Sequence, residues 1–295
     1  MKLDIEKLKE KEFWIKLNPK LHVDEKSFSA NQNIIRFDQT ILEEIKKELV
    51  EDGYFQINPV DWGLPLAEMR LAITNFYDMG LPIPFVFIYD EFFLMPYKVS
   101  GILSFILGND FKILPDFWAW YVDPLRAEKG WDPHRDTGIE SLFKTGMPKS
   151  LTVWVPLTNA NPKNGCIYIV PAQWDPYFAD PVNNYKNFQH QHIRALPAEA
   201  GSILGWNQAV MHWGGRSSKK AKEPRISFAF EFQRGDVTPL NEPLLPYDTL
   251  PDLNLRLKLI GKQILQYEHM YPLRQDIKEI AIKFTEGLKI KSEIH

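Results

Sequence analysis

Hydrophobic and polar positions alternate most regularly in RISFAFEFQ, residues 225–233. Every second residue there is large and apolar, while Arg225, Ser227, Ala229 and Glu231 occupy the positions between. Side chains two apart share one face of a strand, so this pattern predicts a strand with one apolar face. Other runs rich in β-branched and aromatic residues also have strand character; they lie at 55–58, 111–124, 150–157, 166–170 and 201–213.

Helical periodicity is found near both ends of the chain. Residues 38–54 place Ile41, Leu42, Ile45 and Leu49 on one apolar face, and the tail from 252 repeats this with Leu253, Leu257, Ile260, Ile264 and Tyr267. Segments 64–80 and 91–107 are also predicted to be helical. Because helices and strands do not alternate, a doubly wound sheet is disfavoured. We expect a mainly β fold with flanking helices, as in a double-sheet jelly roll.

Composition narrows the class of protein only slightly. The net charge of −3 over 295 residues gives no general signal for nucleic-acid binding. A single cysteine, Cys166, excludes an internal disulfide and favours a reducing compartment. The N-terminus lacks the apolar core of a signal peptide, and prolines interrupt the most apolar stretch. We therefore expect a cytoplasmic protein that binds neither membranes nor nucleic acid.

The stretch GWDPHRDTG, residues 130–138, is a candidate for metal binding. In an extended chain His134 and Asp136 point to the same side, although such triplets also arise by chance. Two histidines and one carboxylate on one face form the ligand set of non-haem Fe(II) oxygenases. His212, at the end of a strand-like run, is a plausible third ligand. A second pair, His190 and His192, lies in a polar stretch that favours a solvated loop.

A possible carboxylate receptor follows His212. Arg225 and Ser227 share a face of the alternating strand, and a guanidinium binds carboxylates through two parallel hydrogen bonds. Pairing of Arg225 with a surface acid is the alternative for this residue.

These motifs together resemble the phytanoyl-CoA dioxygenase family, within the Fe(II)/2-oxoglutarate-dependent oxygenases. The matching stretches are EDGYFQI, PHRDTG, LTVWVPLTNANPKNGCIYIVP, GSILGWNQAVMHWGG and PRISFAFEF, and they cover about residues 50–235. The resemblance implies a double-stranded β-helix, that is, a cupin-like jelly roll. It also implies one catalytic domain over residues 1–295, with a helical lead-in (1–54), a jelly-roll core (55–235) and a helical tail (245–295).

The resemblance also implies cofactors and their ligands. Fe(II) would be held by His134, Asp136 and His212. The keto acid end of 2-oxoglutarate would chelate the iron, and its distal carboxylate would bind Arg225 with help from Ser227. The resemblance places two more residues of one strand face, Trp154 and Thr152, beside the cosubstrate.

Two departures from the family pattern concern the region around the cosubstrate. PAQWDP follows the second strand where the family usually has PGSH, so the role of the next segment is open. The loop WGGRSSKK offers Arg216 as a rival for the carboxylate of 2-oxoglutarate. We favour Arg225 because a strand holds a side chain more rigidly than a glycine-rich loop does.

The function implied by the resemblance is hydroxylation of a small molecule with O2 and 2-oxoglutarate. Asp136 supports hydroxylation, since related halogenases have a small residue there to admit chloride. The substrate class (amino acid, acyl thioester or natural-product intermediate) and the oligomeric state stay open. The alternatives are a metal jelly-roll enzyme that does not use 2-oxoglutarate and a non-enzymatic ligand-binding protein of the same fold.

Candidate substrate contacts come from aromatic residues near these motifs. Trp118 and Trp120 share one face of the 111–124 strand and Tyr121 lies on the other, and either face could line a cavity. Trp131 and Trp206 are close in sequence to the proposed metal ligands. Arg135 is expected to point away from the metal, at the surface or in a salt bridge.

Overall fold

The computed structural model describes residues 4–26, 28, 32–178 and 188–288, so the ends of the expected lead-in (1–3) and tail (289–295) lie outside the described residues. The helices are α1 Ile5–Leu8, α2 Lys11–Leu17, α3 Gln39–Glu51, α4 Leu66–Asp78, α5 Asp90–Phe93, α6 Met95–Lys98, α7 Ser100–Leu107, α8 Leu253–Gln266 and α9 Gln275–Phe284. The strands are β1 Tyr54–Ile57, β2 Lys112–Val122, β3 Ser150–Pro156, β4 Ile167–Val170, β5 Arg194–Leu196, β6 Ile203–Asn207, β7 Met211–Gly214 and β8 Arg225–Gln233.

Two antiparallel sheets form the centre of the described chain. The larger has the strand order β1-β6-β3-β8-β2, and the smaller has the order β5-β4-β7. Side chains from the two sheets meet in a shared apolar cluster that includes Trp154, Ile167, Leu196 and Leu204. This arrangement, with helices at the flanks, confirms the predicted jelly roll.

The alternation along β8 divides the larger sheet into two different faces. Phe228 and Phe230 point outwards to the helical layer, where their rings lie 5.2 Å from those of Phe92 and Phe87. The intervening positions from 225 to 231 face the smaller sheet. The large outer cluster therefore holds the helices against the sheet, and the inner face carries polar groups beside the smaller apolar cluster.

Two segments that are each predicted as one element are interrupted in the structure. The expected helix at 91–107 is three short helices. Pro96 lies in the first turn of the second helix, because it has no N–H to continue the previous one. The run at 201–213 is two strands, β6 and β7, that belong to different sheets. Between them the Asn207 side chain accepts from the N–H of Ala209, which stabilises the turn. The sequence did not predict β5.

Helix α8 buries the apolar face that its periodicity predicts, and a buried ion pair anchors it. Arg256, fully buried, contacts the buried carboxylate of Asp90 and donates to the carbonyl of Ile88 at 2.8 Å. Asp90 also accepts from the backbone N–H groups of Asp24 and Glu25, at 2.9 and 2.8 Å. One carboxylate thus joins the C-terminal helix to the lead-in. Within the described chain, every helix is too short or too polar to cross a bilayer.

We expect Asp90→Asn to lower the free energy of unfolding by about 3–5 kcal/mol, because it leaves the Arg256 charge buried without a counter-charge. Urea denaturation measures this change. The matched control is Asp276→Asn, which removes a partly exposed carboxylate beside Arg274 and should change stability little. Equal effects of the two substitutions would contradict the proposed role of the buried pair.

Candidate metal centre

Backbone pairing brings two histidines side by side. The N–H of His134 donates to the carbonyl of His212 at 3.0 Å, and the N–H of His212 donates back at the same distance. The segment at His134 therefore continues the smaller sheet beyond β7. Residues paired in this way project their side chains to the same face, and the two imidazole rings are 4.4 Å apart.

Asp136 completes the cluster. Its Oδ1 lies 3.4 Å from Nε2 of His134 and 3.4 Å from Nε2 of His212. All three ligand atoms lie within 4.8 Å of one another. A divalent metal bound at about 2.0–2.2 Å from each atom needs ligand separations of roughly 3 Å, so small side-chain movements suffice to hold one ion.

Both imidazoles have the tautomer that a metal requires. Nδ1 of His134 lies 2.6 Å from the carbonyl of Asp132, and Nδ1 of His212 lies 3.2 Å from the carbonyl of Val210. A carbonyl can only accept, so the proton of each ring belongs on Nδ1. The lone pair of each Nε2 is then directed at the space beside Asp136.

The second oxygen of Asp136 is held by the larger sheet. Oδ2 accepts from the hydroxyl of Thr152 at 2.7 Å and from the indole N–H of Trp206 at 3.0 Å. These bonds orient the carboxylate so that Oδ1 faces the histidines. From the sequence we expect Thr152 beside the cosubstrate and Trp206 beside the substrate. In the structure both donate hydrogen bonds to the candidate metal ligand Asp136.

The electrostatics of the cluster suit a cation. Burial alone would raise the pKa of Asp136, but His212, His134 and the Thr152 hydroxyl together lower it below its usual range. Burial lowers the pKa of His212 to about 4, although Asp136 opposes that shift. At neutral pH the cluster therefore contains an ionised carboxylate and a neutral His212 imidazole, the forms that bind metal.

The cluster opens into a cavity between the two sheets. The empty space at this site is about 530 Å³, and part of it is open solvent at the mouth of the cavity. Its lining includes the three candidate ligands, Thr152, Trp154, Trp118, Trp120, Trp131, Trp206, Tyr267, Asp116, Arg225 and Glu231.

Arg225 is a buried cation with unused hydrogen-bond capacity. It is 1% exposed, and its Nη1 donates to Ser227 at 2.9 Å. Its Nε and the nearby indole Nε1 of Trp154 are buried without a hydrogen-bond partner, and within the described chain no acid pairs with the guanidinium. Burial lowers the pKa of Arg225 to about 10, so it stays charged at neutral pH. A buried, unpaired cation is costly in free energy, and an anionic ligand would lower that cost.

Two glycines make room for this guanidinium. A Cβ added at Gly214 would lie 3.0 Å from Nη2 of Arg225 and 2.8 Å from the Cα of Gly130. A Cβ at Gly130 would lie 2.9 Å from the same Nη2. The glycines of the GWDPHRDTG and HWGG motifs thus let the two backbone segments lie close together and leave space for the Arg225 guanidinium.

The rival arginine is placed differently. Arg216 is exposed, and its Nη1 donates to the carbonyl of Ala127 at 2.8 Å. It is not among the residues that line the cavity. Of the two arginines, the geometry favours Arg225 as the carboxylate receptor.

The aromatic candidates divide by strand face. Trp118 and Trp120 of β2 face the cavity, as do Trp131 and Trp206. Tyr121 does not line the cavity, so it is not placed to contact a substrate there. Because successive residues of a strand point to opposite sides, its ring lies towards the helices and stacks on Tyr77 at 4.0 Å.

Glu231 is a cavity residue that the sequence reasoning left out of the site. Its Oε2 accepts from the side-chain amide of Gln208 at 2.5 Å. Burial, together with the charges of Asp136 and Asp116, raises the pKa of Glu231 well above its usual range. The alternation of residues 225–233 puts Glu231 on the same strand face as Arg225 and Ser227. The sequence pattern therefore already indicated that Glu231 faces the cavity.

Two further cavity residues depend on tertiary contacts. Tyr267 follows helix α8, and its ring lies 4.7 Å from that of Trp131, so the tail helps to enclose the cavity. Asp116 lies 3.6 Å from the ammonium of Lys262 and accepts from two side-chain amides. No local pattern indicates either position.

The remaining candidates lie elsewhere. His190 is exposed and His192 contacts Trp174, and a search of the described residues for metal-ligand clusters finds only the group around Asp136. Arg135 is buried rather than at the surface. Its Nη1 lies 2.6 Å from Asp175, which confirms the salt bridge but not the exposed position.

Comparison with known proteins agrees with this geometry. The family model for phytanoyl-CoA dioxygenase (PhyH) matches residues 92–223, which include His134, Asp136 and His212 and end just before Arg225. A search of curated proteins finds no match.

Several solved structures share the fold. The non-haem monooxygenase ThoJ is 14% identical, with a TM-score of 0.51 over 82% of this chain and 99% of its own. The epimerase SnoN, in complex with Fe3+, α-ketoglutarate and nogalamycin RO, is 15% identical, with a TM-score of 0.50 over 73% and 98%. Apo HygX from Streptomyces hygroscopicus is 13% identical, with a TM-score of 0.51 over 68% and 90%. Over residues 92–223 the chain is similar to the phytanoyl-CoA dioxygenase (PhyH) family, and the jelly roll and the His-Asp-His cluster agree with that similarity.

Proposed function

We propose that this protein is an Fe(II)- and 2-oxoglutarate-dependent dioxygenase that hydroxylates an unactivated C–H bond of a small molecule. In this reaction the substrate C–H, O2 and 2-oxoglutarate give the alcohol, succinate and CO2. One oxygen atom enters the alcohol and the other enters succinate. The whole chain, 1–295, acts as one catalytic domain, because Tyr267 of the tail lines the same cavity as the metal ligands.

The observation that carries the proposal is the unpaired charge of Arg225. A buried guanidinium with a free Nε, beside a free indole N–H of Trp154, fits a carboxylate that enters the cavity. 2-Oxoglutarate has a carboxylate at each end, so one end can reach the metal while the other binds Arg225. SnoN, which shares the fold, is described in complex with Fe3+ and α-ketoglutarate.

The side chains have separate roles in this reaction. His134, Asp136 and His212 would hold iron on one face, and iron with its cosubstrate supplies the oxidation chemistry that protein groups cannot. Thr152 and Trp206 orient the carboxylate of Asp136. The aromatic cavity excludes water and positions the substrate beside the metal.

Hydroxylation is the outcome we propose among several that this fold supports. The structural neighbours include an epimerase and a carbocyclase as well as a monooxygenase. The carboxylate of Asp136 occupies the position that must be vacated for a halide, which argues against halogenation. The buried charge of Arg225 supports the use of 2-oxoglutarate over a metal enzyme that does without it. Succinate formation distinguishes the proposed enzyme from a non-enzymatic protein that binds an anion at Arg225.

We expect Arg225→Ala to weaken 2-oxoglutarate binding by roughly a hundredfold, since loss of one partner of a buried charge pair costs about 2–5 kcal/mol. Calorimetry with Fe(II)-loaded protein under argon measures the affinity, and slow succinate formation in air without substrate measures turnover. Arg216→Ala is the matched control and should bind 2-oxoglutarate as the wild type does. Loss of binding in Arg216→Ala alone would transfer the role to that residue, and no binding by wild-type protein would refute the proposed function.

We expect Thr152→Val and Trp206→Phe each to weaken metal binding about ten- to a hundredfold, because each removes one hydrogen bond from Asp136. Competition with a chromogenic chelator measures Fe(II) affinity. Thr74→Val makes the same chemical change on helix α4, away from the cavity, and should leave the affinity unchanged. Wild-type affinity in both cavity variants would show that these bonds do not support the metal.

A further inference from the structure

Glu231 is a cavity carboxylate that the proposed reaction does not use and that forms no ion pair within the described residues. The charge of Lys262 lowers its pKa but does not offset the effect of burial. Asp136 would be balanced by the metal, Arg225 by the cosubstrate, and Asp116 by Lys262 at 3.6 Å. Glu231 has only a hydrogen bond from the neutral amide of Gln208. A carboxylate in an apolar cavity is destabilised unless a charge or several donors reach it.

The position of Glu231 makes it accessible to a substrate near the metal. In the larger sheet Glu231 pairs in register with Thr152, which in turn pairs with Trp206. Residues directly opposite on antiparallel strands share a face, so the three side chains form a row across the cavity floor. Two members of this row bind Asp136, and the third is Glu231. A group bound to Glu231 therefore lies beside the metal ligands.

Aromatic rings form the neighbouring wall of the cavity. Trp131 lies 5.6 Å from Trp118, 5.4 Å from Trp120 and 4.7 Å from Tyr267, measured between ring centroids. The same indole lies 5.8 Å from the ring of His134, so the aromatic wall reaches the metal centre. Ring faces attract cations, and a desolvated site strengthens that attraction.

We propose that the substrate carries an amine, bound as its ammonium ion by Glu231 against the aromatic wall. This inference rests on the proposed function and narrows its substrate class to amines, amino compounds and quaternary ammonium compounds. An ammonium ion supplies the missing counter-charge, and its N–H or C–H groups contact the indole and phenol rings. Without such a ligand, burial and the neighbouring acids raise the pKa of Glu231, as is seen for a carboxylate that lacks its partner.

A neutral, protonated Glu231 that donates to a substrate oxygen is the competing interpretation. It predicts a preference for alcohols, ethers or carbonyl compounds over amines. Asp116 is not an equivalent candidate for binding the ammonium ion, because Lys262 and two side-chain amides already satisfy it.

The test compares phenethylamine with 2-phenylethanol, which share a ring and a chain and differ in charge at neutral pH. Calorimetry under argon gives the affinity of each probe, first for metal-free protein and then for protein loaded with Fe(II) and 2-oxoglutarate. The variants are Glu231→Gln, which removes the charge, Glu231→Asp, which keeps it, and the exposed Glu199→Gln, which makes the same charge change at the surface. Thermal melting shows that each variant is folded.

We expect wild-type protein to bind the amine roughly tenfold more tightly than the alcohol. Glu231→Gln should lose this preference, Glu231→Asp should retain part of it, and Glu199→Gln should retain all of it. Equal binding of the probes by wild-type protein, tighter binding of the alcohol, or an undiminished preference in Glu231→Gln would overturn the inference. The wild-type comparison does not depend on the folding of a variant. An amine preference without any 2-oxoglutarate binding would refute the proposed function and leave the amine site standing.

Discussion

The candidate metal centre depends on one reciprocal pair of backbone hydrogen bonds, between His134 and His212. These residues are far apart in sequence, and only strand pairing brings their imidazoles to one face. Further backbone carbonyls then hold each ring by Nδ1, so that both Nε2 atoms face Asp136. Because backbone geometry fixes both histidines, these two candidate ligands need little reorganisation to bind an ion.

The larger sheet adds the polar groups that complete the site. Strand β8 alternates phenylalanines that pack under the helices with residues that face the cavity. This single strand therefore anchors the helical layer and also presents Arg225 and Glu231 to the interior. The neighbouring strands contribute Thr152 and Trp206, which hold the far oxygen of Asp136. Pairing with the smaller sheet thus places the two histidines, and the larger sheet orients the carboxylate of Asp136.

The buried charges of this protein are of two kinds. Some are matched within the chain, such as Arg256 with Asp90 and Asp116 with Lys262, and these join the tail helix to the rest of the fold. Arg225 has no such partner within the described residues. An unmatched charge is costly to bury, so it is retained where a ligand supplies the balance. This contrast distinguishes the buried charges that are paired within the fold from Arg225, which we propose is paired by a ligand.

The sequence by itself determined the ligand types, their spacing and the faces of the strongly periodic elements. These features are local, since neighbours along a strand or helix share a face whatever lies opposite. Tertiary structure decided what each face meets. It placed Trp118 in the cavity and Tyr121 against the helices. It also placed Arg225 in the cavity and Arg216 at the surface, and it brought Tyr267 of the tail to the cavity of the candidate metal site. Strand register and helix docking arise from contacts between distant segments, which no local pattern specifies.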